Sequence, residues 1–184
     1  MENYLTEEQI MALYIEFKTP PNVIRHCGAV ANVAMTIAEA LNAHGFDLDI
    51  DLIIGAGLCH DVARTQARHW DVMADKLLEM GYLRESLLVR NHMTGDGYHA
   101  IKEVSEMDML WLGDRLVLED QYVGIDKRFE YIIEKALKFG GGDKDVERIL
   151  KSKAKMKALM DSIEEVIGQS IDSLFVKEEE SENE

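Results

Sequence analysis

Two adjacent residues of metal-ligating type, His60 and Asp61, follow the strongly apolar run Leu52–Cys59. A buried carboxylate beside an imidazole is costly unless a charged or hydrogen-bonding group meets both. Imidazole and carboxylate groups are also ligands that many divalent cations accept. The pair therefore suggests a metal site, and a metal site suggests hydrolysis.

Further residues of the same types lie on both sides of the pair. They are His26, His69, His92 and Asp114. A lone histidine on an apolar helix face, as at His26, is more often a satisfied core residue than a ligand. Asp114 belongs to a helical stripe that is otherwise apolar, so its carboxylate should be neutralised, paired or coordinated. Taken together, the set favours a metal site over coincidence.

Helical periodicity and a total of only two prolines predict an all-α fold. Thr6 and Gln9 match a capping box that opens a first helix, which we expect to end near Lys18. A second helix begins at Pro20–Pro21, and Asp49 or Asp51 caps a third. The helices after the first are predicted at about 20–41, 49–61, 67–80, 83–92, 104–120, 127–139 and 144–175, with a loop at 94–98.

The last predicted helix carries a broken apolar stripe that must pack against something, because isolated helices are marginally stable. The first interpretation is a packing helix over the core, and the second is an interface with another copy in a homodimer. We predict a single domain over 1–176 with its core at about 20–135. Residues 177–184 have the composition of an acidic, disordered tail.

Bulk composition excludes several classes of function. The net charge of −15 argues against binding to duplex nucleic acid, which needs a basic patch. No apolar run reaches the length of a membrane span, and the acidic N-terminus does not resemble a signal peptide, so we expect a cytoplasmic protein with no membrane partner. Cys27 and Cys59 fall at apolar helix positions and are expected to be free thiols.

The order His26, His60–Asp61, Asp114 resembles the HD superfamily of metal-dependent phosphohydrolases, which has a H…HD…D series on a helical core. His69 and His92 resemble the additional histidines of subfamilies that hold two metals. The resemblance covers roughly residues 20–135. It implies an HD-domain helical bundle, to which the C-terminal packing helix is an addition. It looks closest to small bacterial HD proteins of the diadenosine-tetraphosphate hydrolase type and to HD domains associated with nucleotidyltransferases.

The resemblance also implies roles for the six residues. Asp61 would bridge two cations. One coordination shell would be completed by His26, His60 and Asp114, and the other by His69 and His92. One or two divalent ions are expected, and this mixed nitrogen and oxygen site suits Fe, Mn, Co, Ni, Zn or Mg. Two such ions could hold a hydroxide and stabilise the oxygens of an in-line phosphoryl displacement.

Arg64, one turn after His60, matches a position where related proteins often carry Lys, and it could pair with phosphate oxygens. An exposed arginine at a helix end is an equally good interpretation. Surface salt bridges are the first interpretation for four further arginines: Arg25, Arg68, Arg115 and Arg128.

Two subfamilies fit poorly. Guanosine-tetraphosphate hydrolases place Glu-Asp shortly after the HD pair, where this chain has residues 62–66, VARTQ. Cyclic-di-GMP enzymes carry a longer signature that residues 95–98 match only superficially. The leading hypothesis is a phosphohydrolase of a small phosphorylated, nucleotide-like substrate, with Asp61 and Arg64 as its catalytic residues. The alternative is a non-catalytic HD module that binds metal or nucleotide as a sensor or interaction protein.

Overall fold

A computed structural model describes residues 4–94 and 98–175 of the chain. Within these residues the chain forms α-helices joined by short turns, with one small β-hairpin after the sixth helix. The helices are α1 (Glu7–Glu16), α2 (Pro21–Asn42), α3 (Ile50–Cys59), α4 (His69–Glu79), α5 (Leu83–Asn91), α6 (Glu106–Leu116), α7 (Gly124–Lys138) and α8 (Asp143–Ile167). The prediction of an all-α HD-type fold is confirmed.

Two hydrophobic cores organise the helices. The main core is formed mostly by apolar faces of α2, α3, α6 and α8. The second core packs α1 and α4 against the end of α3 and the residues that follow it. His60 and Asp61 lie at the C-terminal end of α3, which contributes to both cores, so the turn that carries them is held from two sides.

Two glycines allow α2 to approach its neighbours closely. A Cβ atom at Gly57 of α3 would lie 2.8 Å from the Cα of Ala31, and one at Gly113 of α6 would lie 2.7 Å from the carbonyl oxygen of Val30. Real Cβ atoms do not approach other atoms so closely, so larger residues would push the helices apart. These contacts bring α3 and α6 against α2, next to His60 and Asp114.

Local sequence signals predicted several helix starts well. Thr6 and Gln9 form the expected capping box. Of the two alternatives for α3, the structure selects Asp49, whose side chain accepts a hydrogen bond from the backbone N–H of Leu52. The helix predicted from about residue 67 begins at His69 because Arg68 adopts a left-handed conformation with φ 53°.

Two predicted helix ends are wrong. The helix predicted to reach residue 120 ends at Leu116, and an antiparallel hairpin of β1 (Val117–Leu118) and β2 (Gln121–Tyr122) follows it. Glu119 in the hairpin turn has φ 57°. The last helix ends at Ile167 rather than near residue 175, because Gly168 adopts a left-handed conformation that terminates it.

The C-terminal helix α8 packs over the core, as one of the two interpretations predicted. Met156, Leu159 and Ile163 on this helix are buried in the main core. Within the described residues, no helix is long and apolar enough to cross a membrane. The predicted tail at 177–184 and part of the loop predicted at 94–98 lie outside the described residues, and the domain boundaries stay predictions.

Candidate metal centre

All six residues singled out from the sequence lie in one cluster, in which His26 is half-buried and the other five are buried, and the cluster divides into two groups. The first triad is His26, His60 and Asp114, and the second triad is Asp61, His69 and His92. Within each triad, one potential ligand atom per residue lies within 4.8 Å of the others. The spacing is therefore short enough for each triad to hold a metal ion.

The first triad comes from three elements that meet in the main core. His26 lies on α2, His60 follows α3 directly, and Asp114 lies on α6. The Nε2 atom of His26 is 3.4 Å from Oδ1 of Asp114. The rings of His26 and His60 meet edge-to-face, with centroids 5.4 Å apart.

The second triad is assembled around Asp61 at the ends of helices. His69 is the first residue of α4, and His92 directly follows α5. Their Nε2 atoms lie 2.8 Å and 3.6 Å from Oδ1 of Asp61, respectively. The other oxygen of Asp61, Oδ2, is 3.8 Å from Nε2 of His60. The two oxygens of Asp61 thus face different triads.

Backbone carbonyl groups orient three of the four histidines in the same way. In each case Nδ1 lies 2.7 Å from a backbone carbonyl oxygen. The pairs are His26 with Glu119, His60 with Gly57, and His92 with Val89. A carbonyl only accepts hydrogen bonds, so each Nδ1 must be the protonated donor. In the neutral ring this leaves the lone pair on Nε2, which points into the cluster, and metal-bound histidines are commonly held in this way.

The two histidines of the first triad differ in their electrostatics. Burial lowers the pKa of His60 to about 4, so the imidazole is neutral at physiological pH. Burial also opposes protonation of His26, but the hydrogen bond and charge of Asp114 outweigh it and raise the pKa of His26 above its ordinary value. A cation would compete with the proton between His26 and Asp114.

Both carboxylates stay ionised despite being buried. Burial alone would raise the pKa of Asp61, but electrostatic interactions with His60, His69, His92 and Arg64 around the carboxylate outweigh burial and hold it below its ordinary value. The pKa of Asp114 is likewise held well below its usual range, against the effect of burial, chiefly by the Arg115 guanidinium. The centre therefore presents two ionised carboxylates, the form in which an aspartate coordinates a cation.

The residues present fit a bound metal. The Nε2 atoms of His60 and His92 are buried and make no hydrogen bond within the described part of the chain. A buried polar atom without a partner costs roughly 1–3 kcal/mol, and a coordinated cation would remove that cost. Cys27 and Cys59 are buried free thiols, as predicted, and the cluster offers only nitrogen and oxygen ligands.

A cavity of about 340 Å³ opens onto this cluster, and we call it the reaction cavity. His26, Asp61 and Arg64 line it. Arg64 donates to Asp61 Oδ1 at 3.3 Å and to His69 Nε2 at 3.1 Å, while its side chain remains 44% exposed. Of the two interpretations of Arg64, the structure favours a position at the site.

The weaker arginine candidates separate into two groups. Arg115 and Arg128 both lie beside the Asp114 carboxylate, Arg128 at 3.9 Å. Arg68 forms an exposed ion pair with Asp71, which agrees with the expected surface salt bridge. Arg25 pairs with Asp120 but also lines the reaction cavity.

Sequence reasoning missed the element that orients His26. The carbonyl of Glu119, in the turn of the β-hairpin, accepts the hydrogen bond from His26 Nδ1. The predicted continuous helix concealed this hairpin, and a backbone carbonyl leaves no residue-type signal in the sequence. Lys135 and Tyr131 of α7, which line the reaction cavity, were also missed because they lie far along the chain from the metal-ligating residues.

Comparisons with known proteins bear on the family but not on the substrate. An uncharacterized protein of Methanocaldococcus jannaschii is 33% identical over 79 residues, which cover 41% of this chain and 47% of that protein. The chain therefore spans about half the length of this relative. No solved structure matches the chain.

The family comparison is more extensive. The HD domain matches residues 23–176, which include the whole cluster, all but the first two residues of α2, and helices α3 to α8. Proteins with this domain bind divalent metals and are typically metal-dependent phosphohydrolases. The match does not select the diadenosine-tetraphosphate hydrolase type or the nucleotidyltransferase-associated type, which stay predictions. The extent of the match shows that this chain belongs to the HD domain family.

Proposed function

We propose that the protein is a phosphohydrolase that uses two divalent metal ions to cleave a small phosphorylated, nucleotide-like substrate. The observation that carries the proposal is the position of Asp61 between the two triads. One of its oxygens faces His60, and the other faces His69 and His92. A carboxylate in this position can bridge two cations.

In this proposal His26, His60 and Asp114 hold one ion, His69 and His92 hold the other, and Asp61 is shared. When bound, two divalent ions would lower the pKa of a water molecule and neutralise the oxygens of an in-line phosphoryl displacement. Fe, Mn, Co, Ni, Zn and Mg all remain compatible with the ligand types. The hydrogen bonds from Nδ1 keep His26, His60 and His92 in the tautomer that coordination requires.

The chain's own residues would bind and orient the phosphoryl group. Arg64 is anchored on Asp61 and His69, and its partly exposed guanidinium faces the reaction cavity. Arg128 reaches the same cavity from α7 and is mostly buried. A guanidinium group matches the geometry of phosphate oxygens, so these two residues would clamp a phosphoryl group between them.

The test begins with protein purified without chelator, followed by removal of metal and reconstitution with single divalent ions. Phosphate or nucleotide release is then measured with dinucleoside polyphosphates, nucleoside monophosphates and cyclic dinucleotides. We expect turnover of at least one compound, lost with the metal and regained on reconstitution. Asp61→Asn should remain inactive, whereas Asp161→Asn on the exposed face of α8 should behave like the wild type.

The same measurements address the non-catalytic alternative. Stoichiometric metal and tight binding of a nucleotide, with no turnover of any compound in the panel, would favour a sensor or interaction module. Absence of bound metal and of metal-dependent turnover would contradict the proposed phosphohydrolase. The cytoplasmic location, the homodimer and the lack of duplex nucleic-acid or membrane partners stay predictions.

A further inference from the structure

A second cavity, of about 420 Å³, lies between α7 and α8, and we call it the α7–α8 cavity. Four cationic side chains line it: Arg115, Arg128, Lys135 and Arg148. Among the described residues, none of those that line this cavity is acidic. This is unexpected in a chain whose net charge is −15.

The positive charge of the α7–α8 cavity is only partly neutralised. Arg115 and Arg128 share the single carboxylate of Asp114 with His26. Arg148 is 72% exposed and lies 3.4 Å from Asp145. An ion pair this exposed is weak, so it neutralises little of the Arg148 charge. For Lys135, the described residues provide a ring contact with Tyr131 but no ion pair. The cavity therefore has cationic groups available to an anionic ligand.

The cavity also has an apolar wall. Tyr131 and Ile132 of α7, Phe139 directly after this helix and Ile149 of α8 line it. Phe139 is 76% exposed, so its ring is accessible to a ligand. Cationic and apolar groups together suit an organic anion rather than an inorganic ion.

The α7–α8 cavity adjoins the reaction cavity. Arg128, Tyr131 and Lys135 line both of them. The ring of Tyr131 lies beneath both cations, 5.7 Å from the Arg128 guanidinium and 5.6 Å from the Lys135 ammonium. A ligand whose phosphoryl group lies in the reaction cavity could therefore extend past these three residues into the α7–α8 cavity.

We propose that the substrate carries a second anionic group, joined to its phosphoryl group by an aromatic or apolar spacer, and that the α7–α8 cavity binds this second anion. The inference rests on the proposed function. The phosphoryl group would lie in the reaction cavity, the spacer against Tyr131 and Phe139, and the second anion near Lys135 and Arg148. Selectivity for doubly anionic substrates would then come from α7 and α8 rather than from the metal ligands.

Binding of non-hydrolysable probes tests this inference without requiring turnover. Phenylphosphonate is compared with 4-carboxyphenylphosphonate, and biphenyl-4-phosphonate with its 4′-carboxy derivative, so that two spacer lengths are covered. Affinities are measured by calorimetry with the full chain, with and without added Mn²⁺. For at least one spacer we expect the carboxylate to tighten binding about tenfold, as one charge-assisted hydrogen bond can do.

Variants locate the effect in the cavity. Arg148→Gln, which changes a residue that lines the α7–α8 cavity but not the reaction cavity, should reduce the carboxylate's advantage to threefold or less and leave the affinity of the uncarboxylated phosphonate unchanged. Lys151→Gln is the matched control, because Lys151 lies on the same helix, pairs with Glu147 and does not line the cavity. It should retain the full advantage.

The outcomes separate this inference from the proposed function. The inference would be overturned by any of three results. These are equal affinity of the wild type for both members of each pair, loss of affinity for both members in Arg148→Gln, and no binding of any probe. Metal-dependent release of phosphate from phenyl phosphate and from 4-carboxyphenyl phosphate is measured in parallel and tests the phosphohydrolase alone. A carboxylate advantage without any turnover would support the second anion site and contradict the phosphohydrolase.

Discussion

The two triads belong to one cluster, yet the fold positions them differently. The first triad is carried on elements that pack in the main core, where Gly57 and Gly113 bring α3 and α6 against α2. In the second triad, His69 begins α4 and His92 follows α5. Helix packing thus sets the first triad, whereas the ends of two helices set the second.

The α4–α5 pair is in turn joined by its own polar contacts. Ser86 on α5 donates a buried hydrogen bond of 2.7 Å to the carbonyl of Ala74, and Arg90 pairs with Asp71 and Asp75 on α4. These contacts hold α4 and α5 together independently of the side chains of His69 and His92. We therefore expect that each triad can be broken separately, and that Asp61, which we propose to be shared, affects both.

The largest expected effect comes from removing that shared member. Asp61→Asn keeps the shape of the side chain but removes the charge and the ability to bridge. We expect loss of both metal ions, and a fall in turnover exceeding the roughly 10–100-fold typical of losing an outer-shell partner of a metal ligand. Elemental analysis and turnover, with Asp161→Asn as the control, measure this. Retention of full activity on every substrate would contradict the bridging role.

Breaking one triad at a time should have a smaller effect on metal content. His26→Gln removes a ligand from the first triad only, and His92→Gln removes one from the second triad only. Each variant should lose about one ion per chain and keep the other, with strongly reduced turnover in both. Metal content after dialysis checks this prediction. If either variant lost both ions while remaining folded, the two triads would not be separable.

The pH dependence of stability should reveal the buried neutral histidine of the first triad. Because the pKa of His60 is about 4 in the folded protein, against 6.5 for an unperturbed histidine, the unfolded chain binds more protons between these values. The free energy of unfolding should therefore fall by about 3 kcal/mol as the pH drops from 6.5 to 4, at 1.36 kcal/mol per unit.

Urea unfolding of the metal-free protein measures this dependence. His60→Gln removes the titrating group, so its unfolding free energy should change less with pH over the same range. An identical pH dependence in the variant and the wild type would show that His60 is not the group responsible. His26 acts in the opposite sense, since its raised pKa makes stability fall as the pH rises above 6.5.

The smallest expected effect concerns the packing that positions the first triad. Gly57→Ala places a Cβ atom 2.9 Å from the Cβ of Ala31 and should destabilise the protein by about 1–3 kcal/mol. Gly28→Ala is the matched control, because a Cβ there meets nothing within 4 Å, and it should be neutral or stabilising by up to about 1 kcal/mol. Thermal unfolding distinguishes them, and equal melting temperatures would contradict a close approach of α3 to α2 at Gly57.

The sequence predicted the first triad better than the second from physical patterns alone. Asp114 was conspicuous because it interrupts an apolar helical stripe, and the structure places it buried on α6. His69 and His92 sit at helix ends, where periodicity has no face to assign, so their residue type made them candidates and only the family resemblance implied their place in a second metal site. The structure brings all six residues together, but their role as ligands remains a proposal.

Other features could not be read from the pattern because they depend on tertiary contacts. The hairpin at Val117–Tyr122 sits within a stretch whose periodicity looked helical, and its stability comes from pairing and packing rather than local preference. The end of α8 depends on the conformation of one residue, Gly168. The α7–α8 cavity combines residues up to 59 positions apart, from Met93 to Ser152, which no spacing rule connects.

The number of divalent ions bound per chain decides whether Asp61 joins two metal sites. Full-length protein, purified without chelator and equilibrated with a single divalent metal, is analysed for metal and protein content together. We predict two ions per chain in the wild type and none in Asp61→Asn. A wild type that binds one ion or none under these conditions would contradict a centre in which Asp61 joins two triads.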